Sequence, residues 1–111
     1  MEKLVVGSVG VLMFPFSDLR AAKRRPALIL ATAEFGNFIL CQITSKPYAS
    51  KTAITLVKDD FMQGSLPVVS YIRPDKLFTA DASLFVEVKG QISKEKLTMV
   101  RESLKKLFYL D

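Results

Sequence analysis

Two short runs hold residue types suited to chemistry on an anionic substrate. Lys23-Arg24-Arg25-Pro26-Ala27-Leu28-Ile29-Leu30 opens with three cations and a proline and runs straight into an apolar segment, while Arg73-Pro74-Asp75 sets a guanidinium and a carboxylate two residues apart. Proline drives the preceding residue out of the α region, so Arg25 is expected to be extended; Pro26, lacking an N–H, suits the start of a strand. Arg25 is therefore aimed by the backbone at the mouth of that strand. A guanidinium gives fixed, bidentate donors to phosphate or carboxylate oxygens. A carboxylate such as Asp75 acts as a base when its surroundings raise its pKa, but Arg73 beside it favours the ionised form, and the residues alone leave the net direction open. Bland readings stand next to these: a solvated basic turn ahead of a core strand, and an Arg-Asp surface pair worth about 0 to 1 kcal/mol.

The rest of the composition narrows the chemistry. The 111 residues contain 16 Lys and Arg against 11 Asp and Glu, a net charge of +5, which permits a polyanionic partner without demanding one. Arg20, Lys23, Arg24 and Arg25 form a local basic cluster with no acid among them, whereas Asp59 and Asp60 mark an acidic turn. The chain has no histidine, and Cys41 is its single cysteine. That excludes an intrachain disulfide and leaves nothing from which to build a histidine-ligated zinc site or a Cys-His nucleophile pair. No metal and no cofactor are expected, and Cys41 is expected in the core. The segment from Leu4 up to Asp18 is uncharged but broken by Gly7, Gly10 and Pro15, too short for a membrane span. It lacks the basic start and cleavage site of a secretory signal. One cytoplasmic domain over residues 1–111 is the expectation, with no membrane contact.

The elements that must position these residues follow from periodicity. Val9 to Phe16 reads as a buried strand, Ser17 to Arg24 as a polar loop, Ala27 to Ala31 as a second strand, and Phe38 to Thr44 as a third, entered through a turn at Glu34, Gly36 and Asn37. Lys46 to Ser50 reads as a loop and Ala53 to Val57 as a short strand with Ile54 and Leu56 on one face. Asp59 to Pro67, with Gly64 and Pro67, is not regular for long. Val68 to Ile72 is a strand broken by Arg73-Pro74-Asp75, resuming from Lys76 to Thr79; Phe85 to Ile92 alternates cleanly. The period then becomes helical: Leu97, Val100, Leu104, Leu107 and Phe108 follow Ser93, a good N-cap, with Glu95 early and Lys105 and Lys106 late. Many short strands and one terminal helix predict a mainly β fold, a small bent β-barrel with the helix packed on it.

In this order the sequence resembles the PemK/Kid/MazF family, the toxins of bacterial toxin-antitoxin pairs. The resemblance rests on Gly7-Ser8-Val9 leading to Phe14-Pro15-Phe16-Ser17-Asp18, Arg24-Arg25-Pro26-Ala27-Leu28-Ile29-Leu30, Cys41-Gln42-Ile43-Thr44-Ser45, Ser70-Tyr71-Ile72-Arg73-Pro74-Asp75-Lys76-Leu77-Phe78-Thr79, and Gly90-Gln91-Ile92-Ser93 before the helix. Each stretch is weak alone; together, in the family's order, they are specific. The resemblance implies an SH3-like β-barrel that pairs into a homodimer, cuts single-stranded RNA at a short sequence, and is held inactive by an antitoxin with an acidic or disordered tail. It places the arginine of the family's Arg-Pro motif on Arg25, the threonine and serine ending the third strand on Thr44 and Ser45, and the Kid-type arginine and aspartate on Arg73 and Asp75. Ser8, where an acid is common, and the glycine-free loop from Ser17 to Arg24 depart from the pattern and bear on RNA sequence preference and loop mobility.

RNA brings its own nucleophile, the 2'-hydroxyl, so cleavage needs only a base, charge stabilisation and a donor for the leaving oxygen. On this reading Arg25, Thr44, Arg73 and Asp75 are the catalytic set, with Lys23, Arg24, Ser45, Tyr71 and Lys76 as substrate contacts. Tyr71 and Phe78 flank the Arg73 segment and can stack bases, although half-buried strand aromatics are more often core. Two other classes compete. A barrel toxin of the CcdB kind, which binds a topoisomerase, depends on a tryptophan near the C-terminus; this chain has none and ends Tyr109-Leu110-Asp111. A barrel that keeps the fold but not turnover is the other.

Overall fold

The computed structural model describes residues 3–14, 23–46 and 51–109. Seven antiparallel strands form one curled sheet: β1 (Ser8–Phe14), β2 (Lys23–Thr32), β3 (Asn37–Thr44), β4 (Ile54–Leu56), β5 (Phe61–Gly64), β6 (Ser70–Asp81) and β7 (Phe85–Ile92), in the order β4-β6-β3-β2-β1-β7-β5. Among the described residues one α-helix, α1 (Lys94–Phe108), follows β7. The fold is thus a half-barrel with a C-terminal helix, as the patterning predicts.

Side chains alternate across a strand, so each buried strand feeds two apolar layers. One layer, under α1, gathers Val9, Leu28, Cys41, Ile43, Leu56, Ile72 and Ile92 with Val100 of the helix. The opposite face holds Leu12, Phe14, Ala27, Ile29, Leu40, Ala80 and Phe85, with Phe78 set edge-on against Phe14 at 4.9 Å. This explains why the central strands read as unbroken apolar runs rather than alternating ones. Cys41 is fully buried, and burial first and the Asp75 carboxylate second push its thiol up to about 12, so it stays a neutral core group.

Ser93 caps α1 by accepting from the Lys96 N–H at 3.2 Å. Leu97, Val100 and Leu104 then turn one stripe into the core, while Phe108, off that stripe, is 66 % exposed rather than buried as its apolar character suggested. Asp60 ties the turn before β5 to the helix start: its carboxylate accepts from the Val57 N–H at 2.8 Å and meets Lys96 at 3.4 Å, and its carbonyl accepts from the Ser93 N–H at 2.7 Å.

Three boundaries differ from the sequence pattern. First, β2 begins at Lys23, not at Pro26 or Ala27: Lys23, Arg24 and Arg25 pair with Phe14, Met13 and Leu12, so the charged run is strand rather than the end of a loop. Pairing with β3 starts only at Ala27, which leaves Pro26 flanked by β1 alone and its missing N–H without consequence. Second, Phe61–Gly64 is a strand on β7, where the glycine and proline content suggested irregular chain. Gly64 and Gly90 make it possible, because a Cβ on Gly90 would overlap the Gln63 carbonyl and one on Gly64 the Lys89 carbonyl. Gly90→Ala is expected to cost about 1 to 3 kcal/mol through overpacking and to lower the Tm read by circular dichroism by about 4 °C or more; an unchanged Tm would show that β5 can move away freely. Third, Ser70–Asp81 is one strand rather than two separated by Arg73-Pro74-Asp75. Gln42 of β3 pairs with Arg73 but Cys41 pairs with Leu77, so Pro74, Asp75 and Lys76 bulge out without cross-strand partners. The ring of Pro74 is fully buried and anchors that bulge. The expectations for residues 15–22 and 47–50, which include Arg20 and most of both polar loops, lie outside the described residues.

Candidate active site

The register places the chemistry-bearing residues. Because Ile43 and Ile72 pair and point into the layer under α1, Gln42 and Thr44 of β3 and their partners Arg73 and Tyr71 of β6 face the other way. On β2, Ala27 pairs with Gln42, and Arg25, two residues earlier, presents the same face. Arg25, Thr44, Tyr71 and Arg73 therefore share one face of three adjacent strands, beyond the end of the apolar layer that contains Ala27 and Leu40. The sequence assigned roles to four of these positions and the sheet brings them together.

Arg25 is half-buried, and its Nε is a buried donor with no hydrogen-bond partner among the described residues. Buried polar atoms are nearly always paired, and an orphaned guanidinium nitrogen on a cationic face is a place for an anionic oxygen. Arg73 is held differently. Its Nη2 donates to Asp75 Oδ2 at 2.8 Å and its Nε to Asp75 Oδ1 at 3.3 Å, with the two side chains 16 % and 32 % exposed. The bulge makes this possible: with Pro74 locked in the core, Asp75 is turned out beside the arginine two positions back. The Thr44 hydroxyl oxygen accepts from the Lys46 N–H at 3.2 Å, which fixes the side chain while leaving its own hydrogen to be donated.

Other predicted contacts divide by face. Lys23 and Lys76 are exposed, Lys23 at the start of β2 and Lys76 in the bulge. Arg24 and Ser45, expected to join Arg25 and Thr44 on the substrate, instead turn to the opposite side of the sheet, one position out of phase with them. There they line a cavity of about 250 Å³ with Val11, Pro26, Val68 and Lys89. Phe78 is core, packed on Phe14. The residue that sequence reasoning passed over is Gln42: it sits between Ala27 and Arg73 on the site face, and the only signal for it was a polar amide inside the apolar run Phe38 to Ile43. Among the described residues, no three His, Cys, Asp or Glu come together as a metal site, and no helix is long and apolar enough to cross a membrane.

A curled antiparallel half-barrel with a terminal helix, carrying Arg25 and the Arg73–Asp75 pair on one face, is the arrangement to set beside known proteins. The profile of the PemK-like, MazF-like toxins of type II toxin-antitoxin systems matches residues 8–108, and the chain belongs to that family. Among solved structures it is similar to a mycobacterial endoribonuclease in complex with its cognate antitoxin (TM-score 0.75, 15 % identity, 98 % of each chain covered). It is also similar to the MazE-MazF complex of Deinococcus radiodurans (TM-score 0.75, 24 % identity, 96 % of each chain). A third similarity is to MazF of the same organism (TM-score 0.70, 26 % identity, 92 % of this chain and 93 % of that one). Among curated protein sequences none matches the chain significantly.

Proposed function

We propose that this toxin is a metal-independent endoribonuclease that cuts single-stranded RNA by attack of the 2'-hydroxyl on the adjacent phosphate. The observation that carries the reading is the orphaned Nε of Arg25 on the same face as Arg73. A phosphodiester fits there: its non-bridging oxygens take the free donor of Arg25 and compete with Asp75 for the guanidinium of Arg73, and the Thr44 hydroxyl orients one of them. The carboxylate so released from Arg73 accepts the 2'-hydroxyl proton, the 2'-oxygen bonds to phosphorus, and the bond to the 5'-oxygen breaks. The departing oxygen takes a proton from solvent. Both guanidinia meet the negative charge that builds on the phosphorane and remain protonated throughout, since arginine is not deprotonated in proteins. The products are a 2',3'-cyclic phosphate and a 5'-hydroxyl.

The family and its solved complexes with antitoxins support a cognate antitoxin as partner. On this reading the antitoxin presents acidic residues to the basic run that ends at Arg25, and the toxin works as a homodimer. The test is incubation of the purified protein with single-stranded RNA in excess chelator, with the product ends identified and the oligomer sized by sedimentation. Undiminished cleavage leaving a cyclic phosphate, by a dimer, is the expected result. A Mg²⁺ requirement would overturn the mechanism, and RNA left intact by a protein that still arrests growth would favour a toxin that acts by binding alone.

A further inference from the structure

Gln42 has no part in the bond-breaking steps above, yet it occupies the middle of the site. Its row across the sheet is Ala27, Gln42, Arg73, about 10 Å over two strand spacings, and Thr44 stands two residues further along the same face. Its side chain is half-buried and makes no hydrogen bond among the described residues. The neighbour on one side is Ala27, too small to cover it, and on the other side Arg73 is engaged with Asp75. A carboxamide offers two donors and an acceptor side by side. Arg73 beside it and Arg25, two residues before Ala27, are the natural partners of phosphate oxygens, which leaves a neutral group with adjacent donor and acceptor for the part of a nucleotide that has the same character, the edge of a base.

We propose that Gln42 reads one base of the bound RNA next to the cut, by a paired hydrogen bond to an edge that sets a donor beside an acceptor, adenine foremost. This rests on the RNA-cleaving reading above and adds the residue that chooses where the cut falls. A strand position makes a good reader: the amide stem rises from the centre of a paired sheet, so its reach is fixed by the backbone and not by loop conformation.

The experiment is cleavage of a mixed-sequence single-stranded RNA pool by the full chain, with cut sites mapped by sequencing, for wild type, Gln42→Leu and Gln42→Glu, alongside melting curves. Wild type is expected to enrich adenine about tenfold or more at one position flanking the cut. Gln42→Leu should flatten that position alone while the pool is still cut, and Gln42→Glu, an acceptor of the same shape, should shift it toward cytosine. Unchanged patterns in both folded variants would overturn the inference and leave the cleavage reading intact. Loss of all cleavage by folded Gln42→Leu would also overturn it, by making Gln42 part of the chemistry. If Gln42→Leu does not fold, the near-isosteric Gln42→Glu decides alone. No cleavage by wild type would sink the cleavage reading, and this inference with it.

Discussion

Arg25→Ala is expected to abolish RNA cleavage and growth arrest while leaving the fold intact. The side chain belongs to neither apolar layer, so its removal leaves both core clusters intact. It also removes a buried donor without a partner, so the Tm should hold or rise slightly. The catalytic loss should be about a hundred- to a thousandfold, some 3 to 4 kcal/mol, by analogy with the removal of one donor to a developing oxyanion. Arg25→Lys tests the geometry as distinct from the charge: a point cation cannot supply two parallel donors, so it should recover only part of the rate. Arrest of growth by the alanine variant at equal expression would remove Arg25 from the mechanism.

The second large effect is on the substrate. Replacing the ribose 5' to the scissile phosphate by deoxyribose should stop cleavage at that site and barely alter binding, because the phosphates that dominate affinity are untouched. Asp75→Asn should be nearly as slow on all-ribose RNA, and combining the two should cost little more, since both remove the same proton transfer. The pairing of Asp75 with Arg73 sharpens the expectation. Asparagine keeps one acceptor for the guanidinium, so Arg73 stays in place and the loss reports on the base. Cleavage of the deoxy substrate at the normal rate would mean that water attacks, and Asp75 would then be only the anchor of Arg73.

Much of this was legible in the chain because it is local. Ser93 followed by Leu97, Val100 and Leu104 carries its own cap and period, and α1 starts and ends where they put it. Phe85 to Ile92 is a strand with the bounds its alternation gave. What was not legible depends on pairing. Lys23 and Arg24 look like loop until Phe14 and Met13 lie beside them. Phe61 to Gly64 becomes a strand only because two glycines, 26 positions apart in the sequence, let backbones approach. The site residues were named by motif, but the face each presents is a property of the sheet. Alternation from Pro26 separates Arg24 from Arg25 and Ser45 from Thr44, and no count of charges in the basic run reveals that split. Gln42 was passed over because the stretch Cys41 to Ser45 attached roles only to Thr44 and Ser45, and the face that puts the amide beside Arg73 comes from pairing.

The bulge in β6 has a consequence for how the chain can vary in length. Before it, the even-numbered Ser70 and Ile72 face α1; after it, the even-numbered Phe78 and Ala80 face the opposite layer. Pro74, Asp75 and Lys76 thus act as a half-period phase shift between two segments that are each in step with β3. Each flank takes its face from its own pairing with β3, so the bulge uncouples the facing of the site half, Tyr71 and Arg73, from that of the core half, Phe78 and Ala80. With one residue fewer, plain alternation would carry the chain from Arg73 to Leu77 with both flanks on their present faces. Length can therefore change at this point by one residue without exchanging the site for the core.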